Sequence, residues 1–155
     1  MRVVLYQPQI PQNTGNIART CAVTGASLLL VKPLGFSLSK RQIRRAGLDY
    51  WDSVDIELID ELPTQNCLFF STKGTKLYTE APFDENSVLV FGSETSGLPQ
   101  KIHDDFPDQI YTIPMRKGQR SLNLSNSVAI VLYEALRQKD FKGLRSPFCE
   151  VCPNL

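Results

Sequence analysis

Two charged side chains are set apart by their neighbours. Arg19 ends the run Asn13-Thr14-Gly15-Asn16-Ile17-Ala18-Arg19, and Glu94 lies inside Phe91-Gly92-Ser93-Glu94-Thr95-Ser96-Gly97-Leu98-Pro99. A third run, Arg120-Ser121-Leu122-Asn123-Leu124-Ser125-Asn126, adds more hydroxyls and amides. Glycines, small amides and hydroxyls at the ends of apolar segments suit loops whose backbone approaches a ligand closely. Three such blocks on one chain of 155 residues predict one composite, metal-free site rich in backbone donors and amides. Arg19 and Glu94 supply its charges. Spacing alone leaves a plainer alternative open, with Arg19 in a surface ion pair and Glu94 as a carboxylate at a helix start.

Familiar chemistries are excluded one by one. Gly92 and Gly97 have the spacing of a phosphate-binding loop, but Leu98-Pro99 stands where the lysine and hydroxyl for phosphate and magnesium should be. No G-x-G-x-x-G follows the first apolar run, so a standard dinucleotide fold is disfavoured. No G-x-S-x-G elbow exists, and His103, the single histidine, falls in a segment read as an exposed helix. No Asp/His cluster has metal spacing. Cys21 and Cys67 lie in apolar segments and read as buried thiols. Cys149-Glu150-Val151-Cys152 has C-x-x-C spacing without the further ligands of a zinc site, and reads as an incidental or structural tail, with a redox or metal role as the alternative.

The elements that must position the blocks alternate in type. Val3–Tyr6, Ser27–Val31, Val54–Ile59, Leu68–Phe70, Ser87–Phe91 and Gln109–Ile113 read as strands. Thr14 is the expected cap of a helix that buries Ile17, Ala18, Cys21 and Ala22 and stops at Gly25. Ser39 and Gln42 have capping-box spacing and open a basic helix ending near Gly47. Pro99 fits the first turn of a helix running towards Phe106. A long helix from about Leu124 to Lys139 carries Val128, Val131, Leu132 and Ala135 at helical spacing. Strands and helices in alternation, with nearly continuous apolar strands, predict an α/β domain with a mostly parallel sheet flanked by helices. Ligands of such sheets bind beyond the carboxyl ends of the strands, where the blocks fall.

The bulk numbers agree. A chain of this length is expected to be one domain, residues 1–155, with an irregular tail from about 143. A 42% hydrophobic content is ordinary for a globular protein, and no apolar run approaches a membrane span. The first residues read as a strand, which makes the cytoplasm the expected location. Net charge is only +1, so nucleic-acid binding would need a local basic patch. Lys40, Arg41, Arg44 and Arg45 along one helical side, and Arg116, Lys117 and Arg120 before the third block, are such patches or else solvated faces.

In order and content the blocks resemble the motifs of the SPOUT superfamily of RNA methyltransferases, most closely its TrmL/YibK group of small tRNA wobble-nucleotide 2′-O-methyltransferases. The resemblance spans nearly the whole chain. It includes Ile10 to Arg19, Pro33-Leu34-Gly35-Phe36, Arg44 to Tyr50, Thr72-Lys73-Gly74-Thr75, Ile113-Pro114-Met115 and Ser121 to Asn126. Gln9 departs from it, since relatives commonly carry glutamate there.

The resemblance implies an alpha/beta-knot fold with a C-terminal trefoil knot, a homodimer, and transfer of a methyl group from S-adenosylmethionine to a ribose 2′-oxygen of cytidine or uridine 34 in a tRNA anticodon stem-loop. S-adenosylhomocysteine is the product, and no metal is required. Phe70, Gly92, Ile113 and Ser121 match the cofactor contacts. Arg19, Glu94, Asn16 and Asn123 match the catalytic set. Arg41, Arg44, Arg45, Arg116, Lys117 and Arg120 become phosphate contacts. A guanidinium stays protonated in proteins, so the expected role of Arg19 is to stabilise the developing alkoxide and clamp a phosphate. Alternatives are a 2′-O-methyltransferase for another RNA, and a non-catalytic RNA-binding module of the same fold.

Overall fold

Alternation along each strand decides which side chains go to which face of the sheet. In the computed structural model, which describes residues 1–37 and 54–145, the strands are β1 (Arg2–Tyr6), β2 (Ser27–Val31), β3 (Ile56–Ile59), β4 (Cys67–Phe70), β5 (Lys76–Leu77), β6 (Val88–Phe91) and β7 (Ile110–Thr112). They form one sheet in the order β3-β2-β1-β6-β4-β7-β5. Every strand pairing among the described residues is parallel, so the expected mostly parallel sheet is parallel throughout.

Three α-helices of the described residues cover this sheet. α1 (Pro11–Thr24) and α3 (Leu124–Arg137) pack on one face, where Val3, Leu5, Leu30 and Phe91 meet Ile17, Cys21, Val128 and Leu132. The short α2 (Gln100–Asp105) lies on the other, where Val4, Leu29, Phe69 and Val90 meet Ile102 and Phe106. Both faces are buried, which is why the strands read as apolar runs rather than alternating ones. Each large aliphatic or aromatic side chain withdrawn from water contributes roughly 1.5–3 kcal/mol.

Gly25 ends α1 as expected, in the left-handed region at φ 72°, with its N–H donated to the Cys21 carbonyl. The start of α1 differs from expectation. The helix begins at Pro11, and Ile10 at the cap position offers no side-chain acceptor. Pro11 fits there because its missing N–H would be unpaired anyway. Thr14 is no cap: it is fully buried inside the first turn, and its Oγ1 has no hydrogen-bond partner.

Other boundaries shift by a residue or two. β3 starts at Ile56 rather than Val54, α3 ends at Arg137 rather than Lys139, and Pro99 caps α2 from just outside it. β5 and the 3-10 turns Tyr78–Glu80 and Pro107–Gln109 are additions. The expected basic helix of residues 39–47 and the C-x-x-C tail lie outside the described residues. Among the described residues no helix is long and apolar enough to cross a membrane.

Candidate active site

The ends of β4, β6 and β7 open into a cavity of about 780 Å³, within the usual range for small-molecule and cofactor sites. All four residues expected to hold a cofactor line it: Phe70, Gly92, Ile113 and Ser121. Phe70 is a fixed wall, because its ring stacks on Phe91 at 5.1 Å between centroids and adjoins Tyr111 at 6.0 Å. Gly92 gives the backbone room. A Cβ there would lie 2.6 Å from the Gly97 Cα and would overlap the Gly97–Leu98 peptide. That crowding arises because Ser93 and Gly97 exchange backbone hydrogen bonds of 3.2 and 2.9 Å, folding Glu94, Thr95 and Ser96 into a tight loop.

The loop delivers Glu94 to the start of α1. Its carboxylate accepts from the Gln9 N–H at 2.8 Å, the Ile10 N–H at 3.2 Å and Asn13 Nδ2 at 3.0 Å. Glu94 is therefore the cap that α1 lacks locally, with its negative charge at the positive end of the helix. The chain of bonds continues. Asn13 Oδ1 accepts from Asn123 Nδ2 at 3.0 Å. Asn123 Oδ1 then caps α3, accepting from the Ser125 N–H at 2.9 Å and the Ser125 hydroxyl at 2.6 Å. One residue from each block is thus tied into a single relay that runs from a carboxylate through two amides to a second helix start.

Asn13 is the member that sequence reasoning missed. It is buried, lines the cavity and joins the other two, yet in the sequence it is one more amide in a helical block. His103 lies on a helix with no buried residue, as expected, but it is half-buried itself and also lines the cavity.

Arg19 and Asn16 stand elsewhere. Both are on the exposed side of α1 and neither lines the cavity. Arg120 reaches the cavity wall, while Arg116 and Lys117 are exposed in a turn closed by the Gln119 N–H on the Arg116 carbonyl at 3.2 Å. No carboxylate of the described residues pairs with these three cations. Arg41, Arg44 and Arg45 lie outside the described residues.

Cys21 and Cys67 are buried thiols, as expected. Burial pushes the Cys21 thiol up to about 12 and raises that of Cys67 too, so neither supplies a thiolate near neutral pH. No group of acids, histidines and cysteines that could hold a metal occurs among the described residues.

The profile of the SpoU rRNA methylase family matches residues 1–133. The chain belongs to this family. A tRNA (cytidine(34)-2′-O)-methyltransferase from Methylovorus glucosotrophus is 49% identical to the SpoU-family chain, over 91% of this chain and 97% of that one. A solved structure concerned with 2-OH methylation of C/U34 on tRNA is 44% identical, with a TM-score of 0.81, covering 91% of this chain and 97% of that one. An AdoMet-bound rRNA methyltransferase from Sinorhizobium meliloti is 25% identical, with a TM-score of 0.75, covering 88% of this chain and 56% of that one. The SpoU-family chain is accordingly a methyltransferase, and its α/β sheet is that of the SpoU and SPOUT enzymes.

The relay of this SpoU-family site makes a first prediction. All three groups that face Glu94 are donors. Glu94→Gln would turn an NH₂ towards one of them and leave it unpaired. The expected cost is about 1–2 kcal/mol, read as a lower urea midpoint at unchanged slope, with methyl transfer lost alongside. An unaltered midpoint and rate would remove Glu94 from the organisation of the site.

Proposed function

We propose that the chain transfers a methyl group from S-adenosylmethionine to the ribose 2′-oxygen of the wobble nucleotide, cytidine or uridine 34, of tRNA. The observation that carries this reading is the cavity walled by all three blocks, in a chain 49% identical over nearly its full length to a tRNA (cytidine(34)-2′-O)-methyltransferase. The cavity suits the cofactor in kind. Phe70 and Ile113 offer flat apolar walls for adenine, Gly92 admits a close approach to backbone, and Ser121 supplies a hydroxyl. When bound, S-adenosylmethionine supplies a methyl on a cationic sulfur, already activated for transfer.

The protein's own task is to bring a ribose hydroxyl to the cavity and stabilise the charge it develops. Glu94, Asn13 and Asn123 hold the two helix starts against the cavity wall and act as positioning residues. Arg19 provides the positive charge for the alkoxide, with Asn16 one turn before it on α1. Arg116, Lys117 and Arg120 take RNA phosphates. The trefoil knot at the C-terminal end and a cytoplasmic location belong to the same reading.

Arg19 lies outside the cavity of its own chain, so a second copy completes the site in this scheme. The exposed faces of the two long helices are equipped for one. α1 exposes Gln12, Asn16, Arg19 and Val23, and α3 exposes Asn126, Ile130, Tyr133 and Arg137 with the same spacing. Val23, Ile130 and Tyr133 are the large apolar groups among them. Val128, Val131 and Leu132 of the same helix are fully buried core. Sedimentation of the protein is expected to give twice the chain mass at micromolar concentration. Tyr133→Asp should lower that to one chain mass and suppress activity.

The function itself is tested by incubating the protein with methyl-labelled S-adenosylmethionine and unfractionated tRNA, then mapping the labelled nucleotide. A 2′-O-methyl group at position 34 is the expected result. Label confined to another RNA position overturns the assignment of the target.

A further inference from the structure

Besides the relay, the cavity has a second polar end, formed by the Ser71–Lys73 segment after β4 and by α2. Lys73 and His103 both line the cavity there. Lys73 Nζ donates to Gln100 Oε1 at 3.4 Å, and Gln100 is held in turn by its Nε2 bond to Asp104 Oδ1 at 2.9 Å. Gln100 and His103 are three apart on α2, which makes them neighbours on the helix surface. Lys73 and His103 therefore serve the same end of the cavity, Lys73 through its bond to Gln100 and His103 one helical turn on from it. The Lys73 ammonium forms no ion pair with a described carboxylate, and its bond to Gln100 leaves N–H donors to spare.

The charge balance of the cavity points the same way. Among the described residues its one acidic lining residue is Glu94, and both carboxylate oxygens of Glu94 are committed to the start of α1. No other described acid on the wall opposes an anion at the Lys73 end. Asp104, the carboxylate that holds Gln100, bonds the far side of the Gln100 amide and does not line the cavity. An unpaired ammonium and an imidazole N–H form a receptor for a carboxylate. The cofactor assigned above carries one such group, on its amino-acid tail.

We propose that Lys73 and His103 hold the amino-acid carboxylate of the cofactor, so that this end of the cavity selects a cofactor with its tail intact. The proposal rests on the S-adenosylmethionine reading. It assigns the two residues a binding role and no part in the methyl transfer step. Lys73 supplies the charge, His103 a directed N–H, and Gln100 keeps the ammonium in place.

Calorimetric titration tests this without any turnover, with two ligands that differ in the tail. S-adenosylhomocysteine carries the carboxylate, whereas 5′-methylthioadenosine keeps the adenosine and the sulfur but lacks it. Lys73→Met is expected to weaken S-adenosylhomocysteine about tenfold, as for a lost charge-assisted hydrogen bond, and to leave 5′-methylthioadenosine within about twofold. His103→Gln should show the same pattern with a smaller loss, and Arg120→Met should not show it. Equal effects on both ligands, no effect on either, or a tail-specific loss only in Arg120→Met would overturn the clamp. Wild-type protein that binds both ligands equally would overturn the clamp and leave the cofactor reading standing. Wild-type protein that binds neither would overturn both.

Discussion

Gly92→Ala is expected to lower the melting temperature by roughly 10 °C and to abolish measurable binding of S-adenosylhomocysteine. The added methyl group would be met by backbone on one side, with the Gly97 Cα at 2.6 Å and the Gly97–Leu98 peptide nearer still. Backbone yields less readily than the end of a side chain, so the cost falls at the top of the range for overpacking, about 3 kcal/mol. For a chain of this size each kcal/mol moves the midpoint by about 2–4 °C. Opening the Ser93–Gly97 loop would also displace Glu94 from the start of α1. Gly97→Ala is the matched control. Its Cβ would meet nothing within 4 Å, and only the backbone angle of φ +67° opposes it. A cost of about 1 kcal/mol is expected there. Equal effects at the two positions would mean that space at Gly92 is not what the cavity requires.

Arg19→Lys is expected to reduce the rate of methyl transfer by about a hundredfold or more, the usual effect of losing one donor aimed at developing charge. Lysine keeps the charge but not the planar fork that binds two oxygens at once. Because Arg19 does not line the cavity, the affinity for S-adenosylhomocysteine should stay within about twofold of wild type. The signature is thus a fall in kcat with cofactor binding intact. Near-normal turnover in the lysine variant would overturn the two-oxygen clamp, and a parallel loss of cofactor binding would move Arg19 into the pocket. Mixing Arg19→Lys protein with a variant damaged only in the cavity provides a further check. If one copy completes the site of another, mixed dimers should regain activity that neither variant has alone.

What could be read from the chain depended on how local each signal was. The strands were legible because Leu28 to Val31 and Val88 to Phe91 are buried on both faces and carry no polar residue. The three blocks were legible because each is contiguous. The cap of α1 was not. Its acceptor, Glu94, arrives from 84 residues away, and the helix start holds an uninformative Ile10 beside a plausible Thr14. Asn13 was hidden for the same reason, since its partners Glu94 and Asn123 lie 81 and 110 residues further on. β5 has two residues and pairs, among the described strands, with β7, so it carries no pattern of its own. That His103 reaches the cavity was not legible, because a six-residue helix has too few turns to declare which side faces inward.

The strand order has a consequence for how the protein comes to exist. β6 sits between β1 and β4, although both are synthesised before it, and β7 sits between β4 and β5 in the same way. As the chain leaves the ribosome, β1, β2 and β3 can assemble, but β4 and β5 have no neighbour to join until the next strands emerge. Asn13 waits longer still, for Asn123. Pairings this distant in sequence form slowly. The active centre therefore has no early version. A nascent chain stopped before α3 would carry nearly every side chain of the proposed site and no place to use them.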